Sequence, residues 1–146
     1  MIAALFICLS CLTLINPTAA DTLVPAGSIW KYLDNGSNQG TAWKEMIFDE
    51  TGWKSGAAQL GYGDGDETTV VSYGGNASSK YITTYFRKSF TIADASLYQA
   101  LTLDLLYDDG AVVYLNGTEA ARVNLPDGTI SYNTLASVGD EFTWYT

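Results

Sequence analysis

Residues 111–123 read AVVYLNGTEAARV. Two strand-like stretches, 111–115 and 119–123, flank Asn116-Gly117. Asn and Gly tolerate the positive φ that a type I′ turn requires at both central positions, so this segment is a β-hairpin. The sequence around it continues in the same style. Asp108-Asp109-Gly110 is a turn feeding the hairpin, and 100–107 (ALTLDLLY) alternates, with Leu101, Leu103 and Leu105 inward and Thr102 and Asp104 outward. Asp94-Ala95-Ser96 is the turn before that. Upstream, 81–92 (YITTYFRKSFTI) places Ile82, Phe86, Phe90 and Ile92 on one face and Thr83, Arg87, Ser89 and Thr91 on the other, the signature of a long strand with one buried face. Further strands are expected at 28–33, 59–62, 68–73, 129–135 and 142–145. No segment keeps a helical period over three turns. The fold class is therefore all-β, an antiparallel sandwich or barrel.

The chain has 146 residues, enough for a single domain. Its 16 acidic and 7 basic residues give a formal charge of −9, which disfavours nucleic acid and anionic membranes as partners. Residues 2–15 are almost wholly apolar, Pro17 interrupts them, and Thr18-Ala19-Ala20 supplies small residues before Asp21. This pattern predicts an export signal at 1–20, cleaved before a domain spanning 21–146 and leaving no membrane attachment. The run is shorter than the ~20 residues a membrane-spanning helix needs. Both cysteines, Cys8 and Cys11, would leave with the signal, so the mature domain is expected to lack disulfides and to rely on its core. The chain stops just after 142–145 begins to read as a strand, and the expectation is that the last strand or strands lie outside it.

There is no histidine, and the predicted mature chain holds no cysteine; this removes imidazole acid–base chemistry, His-based metal sites and thiolate nucleophiles. No Gly-rich phosphate loop is present. Nothing singles out two facing carboxylates of the glycosidase kind, so catalysis is disfavoured. The most chemical segment is 61–67, GYGDGDE, where Asp64, Asp66 and Glu67 in a Gly-rich loop offer hard oxygen ligands suited to a structural Ca²⁺. The alternative is a tight acidic loop that only solubilises an edge. Aromatic rings form the second candidate site. Trp30 and Trp53 are expected in the core, whereas Trp43, Tyr81 and Tyr85 are the more available rings for stacking on a sugar, with Arg87 a candidate for its hydroxyls. Asn-x-Ser/Thr sequons start at Asn35, Asn76 and Asn116, the last better explained by its turn.

Several motifs occur in a set order: Trp43, then FDETGW at 48–53, YFRKSF at 85–90 and DDGAVVYLNG at 108–117. In this order they resemble the galactose-binding-like jelly-roll domains, including the sugar-binding domain of β-galactosidase-type glycoside hydrolases. Trp30 to Trp43, Leu60 to Glu67 and Tyr81 to Phe90 are similar to a module of large secreted bacterial proteins. The resemblance runs from about Leu23 onward. It implies an antiparallel β-sandwich of the jelly-roll kind, an accessory role beside a hydrolase, phosphoesterase or adhesive repeat, carbohydrate as ligand and often a structural calcium. Two functional readings follow. One is a non-catalytic carbohydrate-binding or cell-surface module, secreted or at the cell surface of a bacterium, with a polysaccharide or surface glycan as partner. The other is a ligand-free spacer packing on neighbouring domains of a larger polypeptide.

Overall fold

The computed structural model describes residues 8–15, 20–138 and 143–145. The strands are β1 (Cys8–Ile15), β2 (Ala20–Val24), β3 (Ile29–Leu33), β4 (Lys54–Ala57), β5 (Leu60–Gly61), β6 (Thr69–Val70), β7 (Tyr85–Arg87), β8 (Ala100–Tyr107), β9 (Ala111–Leu115), β10 (Thr118–Val123) and β11 (Thr143–Tyr145). Short 3-10 turns occur at Ala42–Lys44 and Ala95–Leu97. The fold is all-β. An antiparallel sheet runs β11-β8-β1-β2, a second runs β4-β3-β7, β9 and β10 form a ribbon, and β5 pairs with β6 in parallel.

The hairpin forms as its turn residues dictate. Asn116 and Gly117 have φ of 50° and 84°, and Leu115 pairs with Thr118 across them. Asp94 caps the 3-10 turn at 95–97, its carboxylate accepting from the Ser96 amide. The core gathers Val24, Trp30, Tyr32, Leu60, Val71, Phe86, Leu105 and Ala111. Each large apolar side chain buried here contributes about 1.5–3 kcal/mol relative to exposure. Trp30 and Trp53 are both buried, as their sequence context predicts.

Three expectations change in the structure. The ladder over 81–92 contracts to Tyr85–Arg87, and Tyr85 and Phe86, neighbours on opposite faces, are both buried. One face meets the core and the other meets Trp43 and Trp53, so a single-faced alternation does not describe it. In β8 the three consecutive residues 105–107 are buried and all belong to the core cluster, while Leu101 near its start is 40% exposed. Residues 129–135 form no strand. Instead Thr134 donates its amide to the Ser131 carbonyl and its hydroxyl accepts from the Ser131 amide, a local turn that competes with a ladder. Residues 8–15, which the sequence reading assigns to an export signal, lie in the full chain between β2 and β8 as β1, with Leu12 and Leu14 buried. Phe142, expected to open the last strand, lies outside the described residues. No helix among the described residues is long and apolar enough to cross a membrane.

Candidate functional site: an aromatic cleft between two loops

The loop between β3 and β4 turns at Ala42–Lys44 and lays Trp43 against β7. Its path is held from behind by Arg87, whose Nε pairs with Glu50 at 2.7 Å and whose Nη1 donates to the Trp43 carbonyl and, at 2.9 Å, to the Glu45 carbonyl. The guanidinium carbon lies 5.2 Å from the Phe48 ring centroid. A planar fork with several donors at fixed angles is well suited to bracing a loop in this way. The rings then form a chain. Phe48 meets Trp53 (5.6 Å), Trp53 meets Tyr85 (6.1 Å), and Trp43 stands edge-on to both Tyr85 (4.9 Å) and Tyr114 (5.7 Å).

Opposite Trp43, residues 125–136 supply a second wall. Asn124 anchors this loop from a left-handed φ of 50°: its Nδ2 donates to the carbonyls of Asp109 and Val138, and its own carbonyl accepts from the Ser137 amide at 2.9 Å. Thr83 donates its hydroxyl to the Tyr132 carbonyl at 2.6 Å and ties the wall to the segment leading into β7. Between the walls is a cleft of about 650 Å³, open mouth included. Its lining combines the rings of Trp43, Tyr85, Tyr114 and Tyr132 with the hydroxyl-bearing Thr41, Thr83, Ser131 and Thr134. That mixture of rings and short hydroxyl side chains suits a small-ligand site. Burial raises the Tyr85 and Tyr114 hydroxyls above the ordinary tyrosine range, so both remain protonated at neutral pH. The Tyr85 oxygen accepts from the Gln39 amide at 3.3 Å.

Of the four sequence-predicted carbohydrate candidates, Trp43 and Tyr85 meet at this cleft. Tyr85 is not the open platform expected of it: at 4% exposure it forms part of the floor. Arg87 lies behind Trp43 with its Nε and Nη1 committed to the loop, so its role is positioning. Tyr81 does not line the cleft. Its ring packs over Gly36 and Gly74 instead. Sequence reading missed Lys44, Tyr114 and Tyr132. Tyr114 carried a signal, an aromatic in the strand just before the Asn-Gly turn. Tyr132 carried none, because its placement follows from the Asn124 anchor.

The acidic loop forms a separate group. Ligand atoms of Asp64, Asp66 and Glu67 lie within 4.8 Å of one another. The Glu67 carboxylate accepts from the amides of Asp64 and Gly65, both at 3.0 Å, and the Asp64 amide is the main cause of its lowered pKa. Glu67 thus caps the loop from within, consistent with the plain structural alternative, and Gln59 reaches Asp66 at 3.5 Å. Three carboxylates this close would also suit a hard cation. Compared with family models, with curated proteins and with solved structures, the chain matches none.

Proposed function

We propose that this chain is a non-catalytic carbohydrate-binding module of an exported bacterial protein, built on a jelly-roll-like β-sandwich, with the aromatic cleft as its ligand site. The observation that carries the reading is the pairing of Trp43 with Tyr114 and Tyr85 in a cleft whose lining also carries the hydroxyls of Thr41, Thr83, Ser131 and Thr134. Flat rings suit the apolar faces of pyranoses, and hydroxyls that both donate and accept suit sugar hydroxyls. The ordered motifs and the apolar start of the chain support the family and the export. Screening the protein on a glycan array tests it. Saccharide binding that disappears in Trp43→Ala, with thermal unfolding unchanged, supports the reading. An array without any signal rejects it.

One observation favours the second reading, a spacer against a neighbouring domain. The tip of the Arg87-braced loop presents Met46 and Ile47 side by side, Ile47 with 92% of its surface exposed. Adjacent apolar side chains at a braced tip are suited to packing on another surface. The same array separates the two, because a spacer gives no saccharide signal.

A further inference from the structure

We propose that the cleft selects a glycan bearing a carboxylate, one uronate-like unit within a largely neutral saccharide, and that Lys44 is the residue that reads it. This rests on the carbohydrate reading of the cleft. The chain carries 16 acidic residues against 7 basic ones, yet among the described residues no acid lines the cleft and a single basic residue, Lys44, does. The other cations are largely committed elsewhere. Lys54, Arg87 and Arg122 form the salt bridges among the described residues, Lys88 donates to the Ile29 carbonyl, and Lys80 sits 4.6 Å from the Tyr62 ring centroid. Lys44 Nζ has no carboxylate within 4.0 Å among the described residues; Glu119, the acid whose charge it feels, is ion-paired with Arg122, and Nζ rests 4.3 Å from the Tyr114 ring centroid, on a ring that itself lines the cleft. An ammonium on a ring face is held in place by the ring quadrupole while its hydrogens remain free to donate. It therefore presents directed positive charge beside a stacking surface.

The overall charge of −9 limits the choice further. A long polyanion would meet repulsion from the rest of the surface, whereas a single acidic unit inside the cleft meets Lys44 at short range. The fit is one acidic sugar, not a polyuronate.

The experiment uses matched probes: a glucuronic-acid-capped xylo-oligosaccharide, its methyl ester and the uncapped oligosaccharide, together with acidic and neutral pairs on the array. The acid is expected to bind roughly tenfold tighter than its ester, a difference of about 1.4 kcal/mol. Lys44→Gln should bring the two within twofold of each other, while Lys44→Arg should keep the preference. Unchanged thermal unfolding of both variants shows that the fold is intact. If neutral glycans bind as well as acidic ones, or if Lys44→Gln keeps the preference, the inference falls and the carbohydrate reading stands. If no saccharide binds, both fall.

Discussion

Arg87 donates a hydrogen bond from Nη1 to the backbone carbonyl of Trp43, so the ring that faces the cleft is positioned by a side chain beneath it. The same nitrogen reaches the Glu45 carbonyl, and Nε reaches Glu50. The loop from 43 to 50 is thus tied at three points to one strand residue. This explains how a segment with only one 3-10 turn can present an aromatic edge in a defined direction.

Arg87→Lys tests that relationship. A lysine keeps the charge but has no planar fork, and it cannot hold the three contacts together. Each lost hydrogen bond is worth ~0.5–1.5 kcal/mol. The expected outcome is a weakened near-ultraviolet signal from Trp43 and a roughly tenfold loss of saccharide affinity. Global stability should fall by about 1–3 kcal/mol, the worth of two lost hydrogen bonds, because the core around Leu60 and Leu105 is untouched. An unaltered near-ultraviolet spectrum would mean that Trp43 is held by its ring contacts alone.

Asp34 and Lys54 form an asymmetric pair. The Asp34 side chain is 4% exposed and that of Lys54 58%, with 2.7 Å between Oδ1 and Nζ; Oδ2 accepts from the Ser72 amide, also at 2.7 Å. The Asp34 hydrogen bond holds the Lys54 pKa above its ordinary value. Removing the lysine leaves a buried carboxylate with the Ser72 amide as its remaining partner in this network. Lys54→Ala is therefore expected to destabilise by about 2–4 kcal/mol, well above an exposed pair. Asp34→Asn keeps an acceptor for Ser72 and frees Lys54 to water, and should cost less. Urea unfolding of both variants checks the order, and the reverse order would contradict the assigned burial.

How far the sequence carried this picture follows from which interactions are local. The Asn116-Gly117 turn was legible because two adjacent residues determine it, and the turn at 94–96 because its residues are likewise neighbours in sequence; that Asp94 caps a 3-10 turn there was not read. The burial of Trp30 and Trp53 was legible too. The cleft was legible only at Trp43 and Tyr85, since its other wall depends on Asn124 reaching Asp109 and Val138, an anchor that spans fifteen residues on one side and fourteen on the other. The positioning role of Arg87 was hidden for a similar reason. Its contacts cross 37 to 44 residues of chain, and an alternating pattern only places it on a face. In β8, the alternating pattern gave the ends and the inward places of Leu103 and Leu105, but not the exposure of Leu101 or the burial of Leu106 and Tyr107 beside Leu105.

Gly36 shows a glycine required twice over. Its φ is 72°, and a Cβ placed there would lie 2.4 Å from the Tyr81 ring. Gly36→Ala combines a left-handed backbone penalty of about 1 kcal/mol with displacement of that ring. A loss of at least ~2 kcal/mol is expected, with a change in tyrosine fluorescence. Gly52→Ala, where no atom lies within 4 Å, is the control and should be near neutral.

Acid sensitivity follows from the carboxylates. Asp49, Glu67, Asp94 and Glu119 all have folded pKa values lowered by hydrogen bonds, led respectively by Thr51, the Asp64 amide, Ser96 and Arg122. A group with a lowered folded pKa stabilises the fold above its unfolded pKa, and that stability is lost as pH falls through the folded value. The thermal midpoint should therefore be flat from neutral pH down to about 5 and drop below the ordinary carboxylate range near 4. Glu67→Gln should make the drop shallower. A midpoint that rises on acidification would contradict the assigned hydrogen bonds.

The place of β1 sets two expectations against each other. As a strand it pairs on both sides, with Leu12 opposite Val24 in β2 and Leu103 in β8, and β2 touches the large sheet only through it. As an export signal it is cut away before Asp21. Loss of Leu12 and Leu14 alone removes about 1.5–3 kcal/mol of burial each, against a net stability typically of only ~5–15 kcal/mol. Val24 and Leu105 would lose cover, and both β2 and β8 would gain an open edge, which invites pairing between molecules. A chain starting at Asp21 is therefore expected to unfold at lower urea and to elute partly as an oligomer. A synthetic peptide of residues 8–15 added in trans should reverse both changes if the missing strand is the cause. If the shortened chain is monomeric and as stable as the full one, β1 is dispensable, and the domain keeps its cleft without the segment that export would remove.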